Sequence, residues 1–421
     1  MSMFRYDNQI LMCEDVAMEE IAARFGTPVY LYSKQALVDA CRDVERAFDG
    51  RDHLTCYAVK ANNNVVLMEN IAREGLGVDV ASAVELQLAL SAGFPPGRMT
   101  MSGIGKRDDE IKAALETGVR ALIVESAEEL EVINGIATSM DRKADILLRI
   151  NLDIAAGAHD YVVTGTMQDK FGVPKGQAVQ ILRRAMAMPG LQVRGVHSHL
   201  GSQILDPDLF VQAAEELLLV IQGLRAAGIP VEHVDFGGGF GVQYKGFMQH
   251  PLLPIEQPEC ETFSVSGMIR PFVKLLNQAG CSISIQPGRC IVAQSGVLLT
   301  RVLYRKEMEG KVFIIVDGGM NDLIRPALYQ SHHQIVPLNF SPAPHEVVDV
   351  VGPLCESGDF FAQDRMLPRV SRGDLLALMC TGAYGFAMSS NYNGRLRLAE
   401  VLVDGSNVSV IREREMMEQL V

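Results

Sequence analysis

Short apolar runs alternate with amphipathic segments along roughly the first two thirds of the chain. The runs are rich in β-branched and aromatic residues, which favours strands, and they cover residues 29–33, 54–60, 77–82, 99–102, 121–125, 144–151, 193–199, 231–236 and 282–286. Intervening segments such as 83–90 and 213–220 have helical periodicity. This alternation predicts right-handed βαβ units and a parallel sheet. Eight or nine such units within about 250 residues predict a closed (β/α)8 barrel of the TIM type rather than an open sheet.

Beyond about residue 282 the pattern changes. Residues 312–317, 345–351, 374–379 and 399–404 are typical of strands separated by turns, with few helical segments between them. The sequence therefore predicts an α/β barrel domain at residues 27–280 and a mostly β domain at residues 281–421. The first 26 residues fit neither pattern clearly, and we assign them to the β domain. Residues 244–262, rich in Pro and Gln, predict an irregular loop or insertion.

Composition narrows the possible function classes. The chain has 421 residues, of which 48% are hydrophobic, and this fits two folded domains. A net charge of −13 without a long basic cluster argues against nucleic acid or a membrane surface as a partner. Eight scattered cysteines without a Cys-x-x-Cys pair disfavour a zinc site or a disulfide framework. With no apolar run of about 18 residues and no secretory signal pattern, we expect a soluble cytoplasmic protein without a metal site.

Lys60 ends the apolar run 54–60 and is followed by Ala and three asparagines, which are turn residues that stop a strand. An ammonium at the tip of a buried parallel strand is costly unless it is paired or chemically used, because desolvation penalises the charged form. A desolvated amine suits Schiff-base chemistry with an aldehyde. The alternative is a strand-end lysine that simply extends its ammonium into solvent, and this segment alone does not separate the two.

Two further polar clusters fall where strands should end, which is where functional groups lie in a parallel barrel. His197 and His199 alternate, so both lie on one face of a strand, and a turn with Ser202 follows. His199 could stack on a flat ring, and Ser202 could donate to a phosphate. Residues 237–239 are three consecutive glycines whose N–H groups could cradle an anion, although a merely flexible turn is the alternative.

Gln286-Pro-Gly-Arg289 ends another apolar run, and its arginine offers a fork of donors suited to phosphate or carboxylate. In isolation this segment is only a turn. A strand-end lysine, three glycines, a stacking histidine and an arginine together indicate a phosphorylated aldehyde cofactor. Pyridoxal phosphate is the natural candidate, because it supplies an electron sink and needs a lysine.

The second domain adds further candidates. Arg325 and Tyr329 are spaced to meet on one face of a helical turn, where they could bind a carboxylate. Cys355 and Glu356 lie between Gly-Pro and Ser-Gly, a turn setting that exposes side chains, although a small buried packing residue is the alternative for the cysteine. Tyr384 lies in the segment Gly-Ala-Tyr-Gly.

As an ordered set, these motifs resemble the fold-type III pyridoxal-phosphate decarboxylases, and most closely the diaminopimelate decarboxylases among them. The resemblance spans almost the whole chain. It is carried by Tyr-Ala-Val-Lys60-Ala-Asn, His197-Ser-His199-Leu-Gly-Ser202-Gln, the glycines 237–239, Pro-Gly288-Arg289, Arg325-Pro-Ala-Leu-Tyr329, Cys355-Glu356-Ser-Gly-Asp359 and Ala-Tyr384-Gly. Any one of these motifs is weak evidence, whereas the set in this order is highly specific.

The resemblance implies a barrel that binds pyridoxal 5′-phosphate, a β domain, and a homodimer with active sites shared between the subunits. Lys60 would form the Schiff base with the cofactor, and His199 would stack on its ring. The other cofactor contacts implied by the family fall on Ser202, Gly237, Gly238, Gly239, Gln286, Gly288, Arg289 and Tyr384.

The substrate contacts implied by the same resemblance fall on Arg289, Arg325, Tyr329, Glu356 and Tyr384. Cys355 of the partner subunit would be the proton donor, and Glu356 would meet the distal ammonium of the substrate. Diaminopimelate has an amino acid at both ends, so its unreacting end needs a carboxylate clamp and an ammonium partner. The implied activity is decarboxylation of meso-2,6-diaminopimelate to L-lysine and CO2, a step of lysine biosynthesis.

One position departs from the family pattern. The family usually has glutamate where this chain has Gln286, and that glutamate faces the ring nitrogen of the cofactor. A carboxylate there keeps the nitrogen protonated, whereas a neutral amide can only hydrogen-bond. Gln286 therefore implies a slower enzyme, a compensating group elsewhere, or an altered substrate.

The alternative functions use the same barrel. A related decarboxylase could act on another biosynthetic or carrier-linked amino acid, and Gln286 is the reason to consider it. A racemase is a second option, and the segment around Cys355 argues against it. A pyridoxal-phosphate-binding protein without catalysis is a third, and the extensive second domain together with Cys355 argues against that one.

Overall fold

The structure is a computed structural model and describes residues 3–154, 170–259, 264–340 and 343–421. The chain forms two compact units, which we call the barrel unit and the β unit. The barrel unit comprises Ala40–Gly241 and Phe263–Ile291, and the β unit comprises Met1–Asp39, Val242–Thr262 and Val292–Val421.

The barrel unit is built on eight parallel strands. They are His53–Ala58, Gly77–Val80, Met99–Met101, Ala121–Val124, Ala144–Asn151, Leu191–His197, His233–Asp235 and Ser282–Ile285. Each strand pairs with the next along the chain, and Ser282–Ile285 pairs with His53–Ala58 to close the ring. The short strand Val173–Pro174 pairs alongside Ala144–Asn151. The predicted closed (β/α)8 barrel is confirmed.

Seven α-helices lie in the described part of this unit: Val65–Arg73, Ala83–Ser91, Asp108–Thr117, Ala127–Ser139, Ala178–Met186, Pro207–Ala226 and Val265–Leu276. Short 3-10 turns occur at Arg46–Phe48, Val59–Ala61, Pro96–Arg98, Lys175–Gln177 and Asn277–Ala279. Helices Lys34–Glu45 and Arg289–Val292 span the unit boundaries.

Three of the barrel helices begin with a serine that accepts a backbone N–H of the first turn, and at Val265–Leu276 this is Ser264, which accepts the N–H of Gly267 at 2.9 Å. Ser82 accepts the N–H of Glu85 at 3.2 Å, and Ser126 accepts the N–H of Glu129 at 3.1 Å. Each serine satisfies a backbone donor that the first helical turn leaves without a partner, so it fixes the start of the helix. Across the described residues, none of the helices combines the length and apolar character needed to cross a membrane.

Within the described residues, the β unit contains a nine-stranded mixed sheet and a three-stranded antiparallel sheet. The large sheet comprises Val29–Ser33, Gly296–Met308, Lys311–Val316, Ile335–Pro337, His345–Val351, Phe360–Pro368, Leu375–Leu378, Glu400–Asp404 and Asn407–Arg412. The small sheet comprises Phe4–Asp7, Ile10–Cys13 and Val16–Ala17. The unit also has α-helices Met18–Phe25 and Arg325–Tyr329, and 3-10 turns at Ala293–Ser295, Phe386–Met388, Tyr392–Gly394 and Met417–Gln419. The predicted mostly β second domain is confirmed.

One predicted barrel strand lies in the β unit instead. Val29–Ser33 pairs antiparallel with Gly296–Met308 and in parallel with Glu400–Asp404. All five of its residues are buried, and a strand with both faces covered has the same apolar composition in either kind of sheet. The division into units therefore differs from the predicted boundaries at residues 27 and 280, and residues 242–262 also fall in the β unit.

His233, at the start of a barrel strand, makes the barrel unit sensitive to acid. Its ring is buried, with Nδ1 2.7 Å from Ser282 Oγ and Nε2 2.8 Å from Ser284 Oγ. Burial, with a smaller contribution from Arg120, lowers the pKa of His233 to about 4. Between this value and the ordinary histidine pKa, the folded protein binds fewer protons than the unfolded chain does. Stability is therefore lost as the pH falls through that window.

We expect His233→Gln, which keeps polar contacts but cannot titrate, to reduce this acid sensitivity. Between about pH 7.5 and about pH 5, the free energy of unfolding of the variant should fall by about 2 kcal/mol less than that of the wild type. Urea denaturation at the two pH values measures the difference. Parallel losses in the two proteins would show that His233 does not stay neutral in the folded state.

Candidate active site

Lys60 lies just beyond the barrel strand His53–Ala58, in the 3-10 turn Val59–Ala61. Its two neighbours in that turn are completely buried, whereas Lys60 is exposed. The strand ends two residues earlier than predicted, and the ammonium is accessible rather than buried. The asparagines stop the strand as predicted, and Asn64 caps the helix Val65–Arg73.

A buried carboxylate lies within electrostatic range of this lysine. Asp79, in the neighbouring strand, accepts hydrogen bonds from Thr100 Oγ1 at 2.9 Å and Ser102 Oγ at 2.8 Å. Burial raises the pKa of Asp79, and the positive charge of Lys60 is the largest influence opposing that rise. Asp79 is not among the site residues predicted from the sequence, where its signal is an acidic residue inside an apolar run.

Gln286 joins buried side chains from four barrel strands. Its Nε2 donates to Asp79 Oδ1 at 3.2 Å and to Asp235 Oδ2 at 3.1 Å, and it lies 3.4 Å from Thr100 Oγ1. Its Oε1 accepts from His197 Nε2 at 3.2 Å. Burial raises the pKa of Asp235, a second residue that the sequence analysis missed, to about 7. The residue that departs from the family pattern is thus the centre of a polar network.

The two alternating histidines are held neutral. His199 Nδ1 accepts the N–H of Gly238 at 3.0 Å, so the ring proton is on Nε2. Burial and the positive charges of Arg149 and Lys60 lower the pKa of His199 well below its ordinary value. Burial and Arg149 lower the pKa of His197 in the same way. His199 therefore presents an uncharged ring, as stacking on a cofactor requires.

Arg149 is itself held by a buried ion pair that the sequence analysis did not predict. Its Nη1 donates to Glu125 Oε1 at 2.7 Å, and the other oxygen of Glu125 accepts the N–H of Gly172 at 2.7 Å. The guanidinium also lies 4.6 Å from the centre of the Phe171 ring. These contacts hold in place the positive charge that helps to lower the pKa of His197 and of His199.

Two of the three glycines at 237–239 use their N–H groups within the protein. Gly237 N–H donates to Asp235 Oδ1 at 2.8 Å, and Gly238 N–H donates to His199 Nδ1. Gly237 and Gly239 have φ values of 66° and 100°, which residues with a side chain adopt rarely. Two of the three N–H groups predicted to face a phosphate are therefore committed to partners inside the barrel.

Gly238 is required for space rather than for φ. A Cβ at this position would lie 2.1 Å from the backbone oxygen of Gln286. We expect Gly238→Ala to lower the free energy of unfolding by about 3 kcal/mol or more, because backbone atoms must move to admit the methyl group.

The matched control for this substitution is Gly223→Ala in helix Pro207–Ala226. A Cβ at Gly223 would meet nothing within 4 Å, so this change should stabilise the protein by roughly 0.5–1 kcal/mol through helix propensity. Urea denaturation of both variants measures the contrast. Equal midpoints for the two variants would contradict the close approach at Gly238.

Arg289 and Ser202 provide donors suited to an anion. Arg289 is buried, and its Nη2 donates to Ser202 Oγ at 2.9 Å. The turn before Arg289 packs against the segment that carries Lys60, since a Cβ at Gly288 would lie 3.1 Å from the Cβ of Ala58. The guanidinium and the hydroxyl thus lie at the same end of the barrel as the lysine.

In the β unit, Arg325 and Tyr329 share a five-residue helix, as their spacing predicts. Arg325 is buried, and its Nη1 donates to His333 Nε2 at 2.8 Å while His333 Nδ1 donates to the Met379 carbonyl at 2.9 Å. The guanidinium also lies 4.7 Å from the centre of the Tyr244 ring. These contacts fix the position of a buried positive charge.

Cys355 and Glu356 are both exposed, so the alternative of a buried packing cysteine does not hold. Their turn is organised by Asp359, which is buried and accepts the N–H of Leu354 at 2.7 Å and of Met320 at 2.6 Å. Burial raises the pKa of Asp359. The hydrogen bonds to Asp359 thus fix the turn that exposes the Cys355 thiol and the Glu356 carboxylate.

Tyr384 has an unusual backbone conformation. Its φ is 57°, in the left-handed region that bulky side chains rarely adopt. The adjacent Gly385 allows close packing there, since a Cβ would lie 2.4 Å from the carbonyl of Thr381. Backbone strain held by tight surroundings is common at functional sites, which keeps Tyr384 a candidate.

The barrel residues fit the predicted cofactor. The accessible amine of Lys60, the neutral ring of His199 and the guanidinium of Arg289 are the nucleophile, stacking group and anion donor that pyridoxal phosphate needs. His197 Nδ1 is a buried acceptor that no described residue hydrogen-bonds. The described residues contain no group of three or more His, Cys, Asp or Glu placed to hold a metal ion.

Comparison with known proteins decides the family. The family described as "Pyridoxal-dependent decarboxylase, pyridoxal binding domain" matches residues 34–293. The chain is 43% identical over 420 residues to a diaminopimelate decarboxylase of Pseudomonas aeruginosa, covering 100% of this chain and 98% of that protein. The chain belongs to the pyridoxal-dependent decarboxylase family. The predicted family resemblance and the predicted cofactor, pyridoxal 5′-phosphate, are confirmed.

Solved structures of other family members match this decarboxylase over almost their whole length. The diaminopimelate decarboxylase of Helicobacter pylori, complexed with L-lysine, matches with a TM-score of 0.89 and 39% identity, covering 96% of this chain and 98% of that chain. The diaminopimelate decarboxylase of M. jannaschii, also in complex with L-lysine, matches with a TM-score of 0.91 and 32% identity, covering 99% and 96% of the two chains.

Proposed function

We propose that this decarboxylase converts meso-2,6-diaminopimelate to L-lysine and CO2 in lysine biosynthesis. The observation that carries the proposal is its full-length likeness to diaminopimelate decarboxylases. The geometry of the barrel unit supports it, since an accessible lysine, a neutral histidine and a buried arginine occur together at the strand ends.

In the barrel unit, the candidate residues hold the cofactor, and Arg289 also meets the substrate. When bound, the cofactor supplies an electron sink for the electron pair that the departing CO2 leaves behind. Lys60 would provide the amine that holds the cofactor through its aldehyde. Arg289 and Ser202 would hold its phosphate, His199 would orient its ring, and Gln286 would meet its ring nitrogen. Residues 237–239 and Gly288 would line the phosphate side of the cofactor, where the absence of side chains lets neighbouring segments approach closely.

In the β unit, the candidate residues recognise the substrate. Arg325, with Arg289 and Tyr329, binds the distal carboxylate, and Glu356 pairs with the distal ammonium. Cys355 holds the proton that is delivered to the former α-carbon after CO2 leaves. Tyr384 would contact both the cofactor and the substrate. Charged partners for both the distal carboxylate and the distal ammonium distinguish diaminopimelate from a simple amino acid with one carboxylate.

The proposal includes a homodimer with shared active sites, in which Cys355 of the partner subunit completes each site, and a cytoplasmic location. The exposure of Cys355 and Glu356 supports this assembly, because side chains that act in a neighbouring subunit must project from their own. Isologous dimers are also the commonest homo-oligomers. We expect neither nucleic acid nor a membrane as a partner.

The direct test is to load the protein with pyridoxal phosphate, add meso-diaminopimelate, and quantify CO2 and L-lysine. Equal amounts of the two products are expected. L-Lysine, L-ornithine and L-arginine are the control substrates, because they lack the second amino-acid end, and we expect little or no CO2 from them. Turnover of another amino acid without lysine formation would overturn the proposal. It would favour the alternative motivated by Gln286, a decarboxylase of a different biosynthetic or carrier-linked amino acid.

A further inference from the structure

Gln286 is held in one orientation by two carboxylates. Its Nε2 donates to both Asp79 and Asp235, so each proton of the NH2 group has an acceptor. The flipped amide would place its oxygen against two carboxylate oxygens, which repel it. Oε1 therefore faces the other way, where it accepts from His197 and, among the described residues, from no other group.

The two carboxylates are supported by further donors. Asp79 accepts from Thr100 and Ser102, and Asp235 accepts the N–H of Gly237. Burial raises the pKa of both groups, that of Asp235 to about 7, and these hydrogen bonds favour the charged form on which the polarisation of Gln286 depends. Among the described residues, the amide of Gln286 is the one donor that the two carboxylates share.

An amide that donates to anions is a stronger acceptor at its oxygen. Linked hydrogen bonds polarise one another, and they do so most where the surroundings are buried and of low dielectric. The two carboxylates that accept hydrogen bonds from the NH2 group of Gln286 shift electron density toward Oε1. This oxygen thereby carries part of the negative charge that a glutamate would carry at the same position.

We propose that Asp79 and Asp235 act through Gln286 as positioning residues: they aim its Oε1 at the ring nitrogen of the cofactor and strengthen it as an acceptor, so that the nitrogen stays protonated. The inference rests on the proposed function in one respect, that pyridoxal phosphate binds beside Lys60 and Gln286. It does not depend on which amino acid is decarboxylated. The pair of carboxylates behind the amide is then the compensating group that Gln286 requires.

The test is a cycle of substitutions read by NMR of the cofactor. The holoenzyme is loaded with pyridoxal phosphate labelled with 15N in the ring, whose resonance distinguishes a protonated from an unprotonated nitrogen. We expect the wild-type resonance in the protonated range and a shift toward the unprotonated range in Asp235→Asn. In the Gln286→Glu background a carboxylate faces the nitrogen directly, so the same Asp235→Asn change should leave the resonance in place.

Asp79→Asn is the second variant, and it guards against misfolding of the first. The hydroxyls of Thr100 and Ser102 can rotate to pair with an amide, so this substitution suits the site, and thermal unfolding of the apoprotein verifies the fold. The shift of the 15N resonance caused by Asp79→Asn should likewise disappear in the Gln286→Glu background. A direct effect of residue 79 on Lys60 would persist there.

Four results separate this inference from the proposed function. A wild-type resonance in the unprotonated range, or equal shifts with glutamine and glutamate at position 286, would overturn the inference. Failure of the labelled cofactor to bind would overturn the proposed function as well. The expected resonances without lysine formation would support the inference and overturn the substrate assignment alone.

Discussion

Replacing Lys60 with arginine should reduce decarboxylation by about 10³-fold or more, because a guanidinium stays protonated and cannot act as the amine nucleophile. The substitution keeps the positive charge that acts on Asp79, so it separates the chemistry of the amine from its electrostatic effect. The fold should be unaffected, since the Lys60 side chain is exposed. The measurements are kcat with meso-diaminopimelate and reductive trapping of the cofactor, followed by mass spectrometry of the modified peptide.

Lys175→Arg is the matched control for this prediction. Lys175 lies in the same unit, and its ion pair with Glu216 at 2.9 Å is exposed, so the substitution should leave both turnover and trapping unchanged. If reduction still attached the cofactor to the Lys60→Arg protein at another lysine, and turnover persisted, Lys60 would lose its assigned role.

Much of the fold could be predicted because a buried parallel strand is a short apolar run, and eight of the nine runs are barrel strands. The ninth run, Val29–Ser33, shows what periodicity does not predict. Its partners begin at Gly296 and Glu400, far along the chain, and composition alone does not specify which sheet a fully buried strand joins. The boundary between the units follows from such long-range pairing.

The candidate site was predictable where a reactive side chain follows an apolar run, as at Lys60, His199 and Arg289. It was not predictable where the role of a residue depends on partners from several strands. The N–H groups of Gly237 and Gly238 are used internally, which three consecutive glycines alone do not indicate.

Asp79 and Asp235 were missed for a related reason. Each is a single acidic residue near the end of an apolar run, which is a weak signal on its own. Their importance arises from the shared contact with Gln286, which joins strands that are distant in sequence. These tertiary contacts therefore give Gln286, the one position that departs from the family pattern, a role that the sequence alone does not indicate.

Replacing Cys355 with alanine should reduce kcat by about 10²- to 10⁴-fold, the range associated with the loss of a general acid. The cofactor should remain bound, because the cysteine is exposed in the β unit and the residues assigned to the cofactor's phosphate and ring lie in the barrel unit. Absorbance of the bound cofactor and steady-state kinetics measure the two effects. Cys281→Ala is the matched control and should keep full activity, since it removes a partly buried thiol that has no assigned role.

The same substitution tests whether active sites are shared between subunits. In a mixed dimer of Lys60→Ala and Cys355→Ala chains, one site would combine an intact lysine from one subunit with an intact cysteine from the other. Random exchange of equal amounts should therefore restore about a quarter of the wild-type activity from two inactive proteins. If lysine and cysteine acted within one chain, every site in the mixture would carry a defect and the activity would stay at background. Recovery thus requires that Cys355 acts across a subunit interface, and its exposure on the β unit is what that role demands.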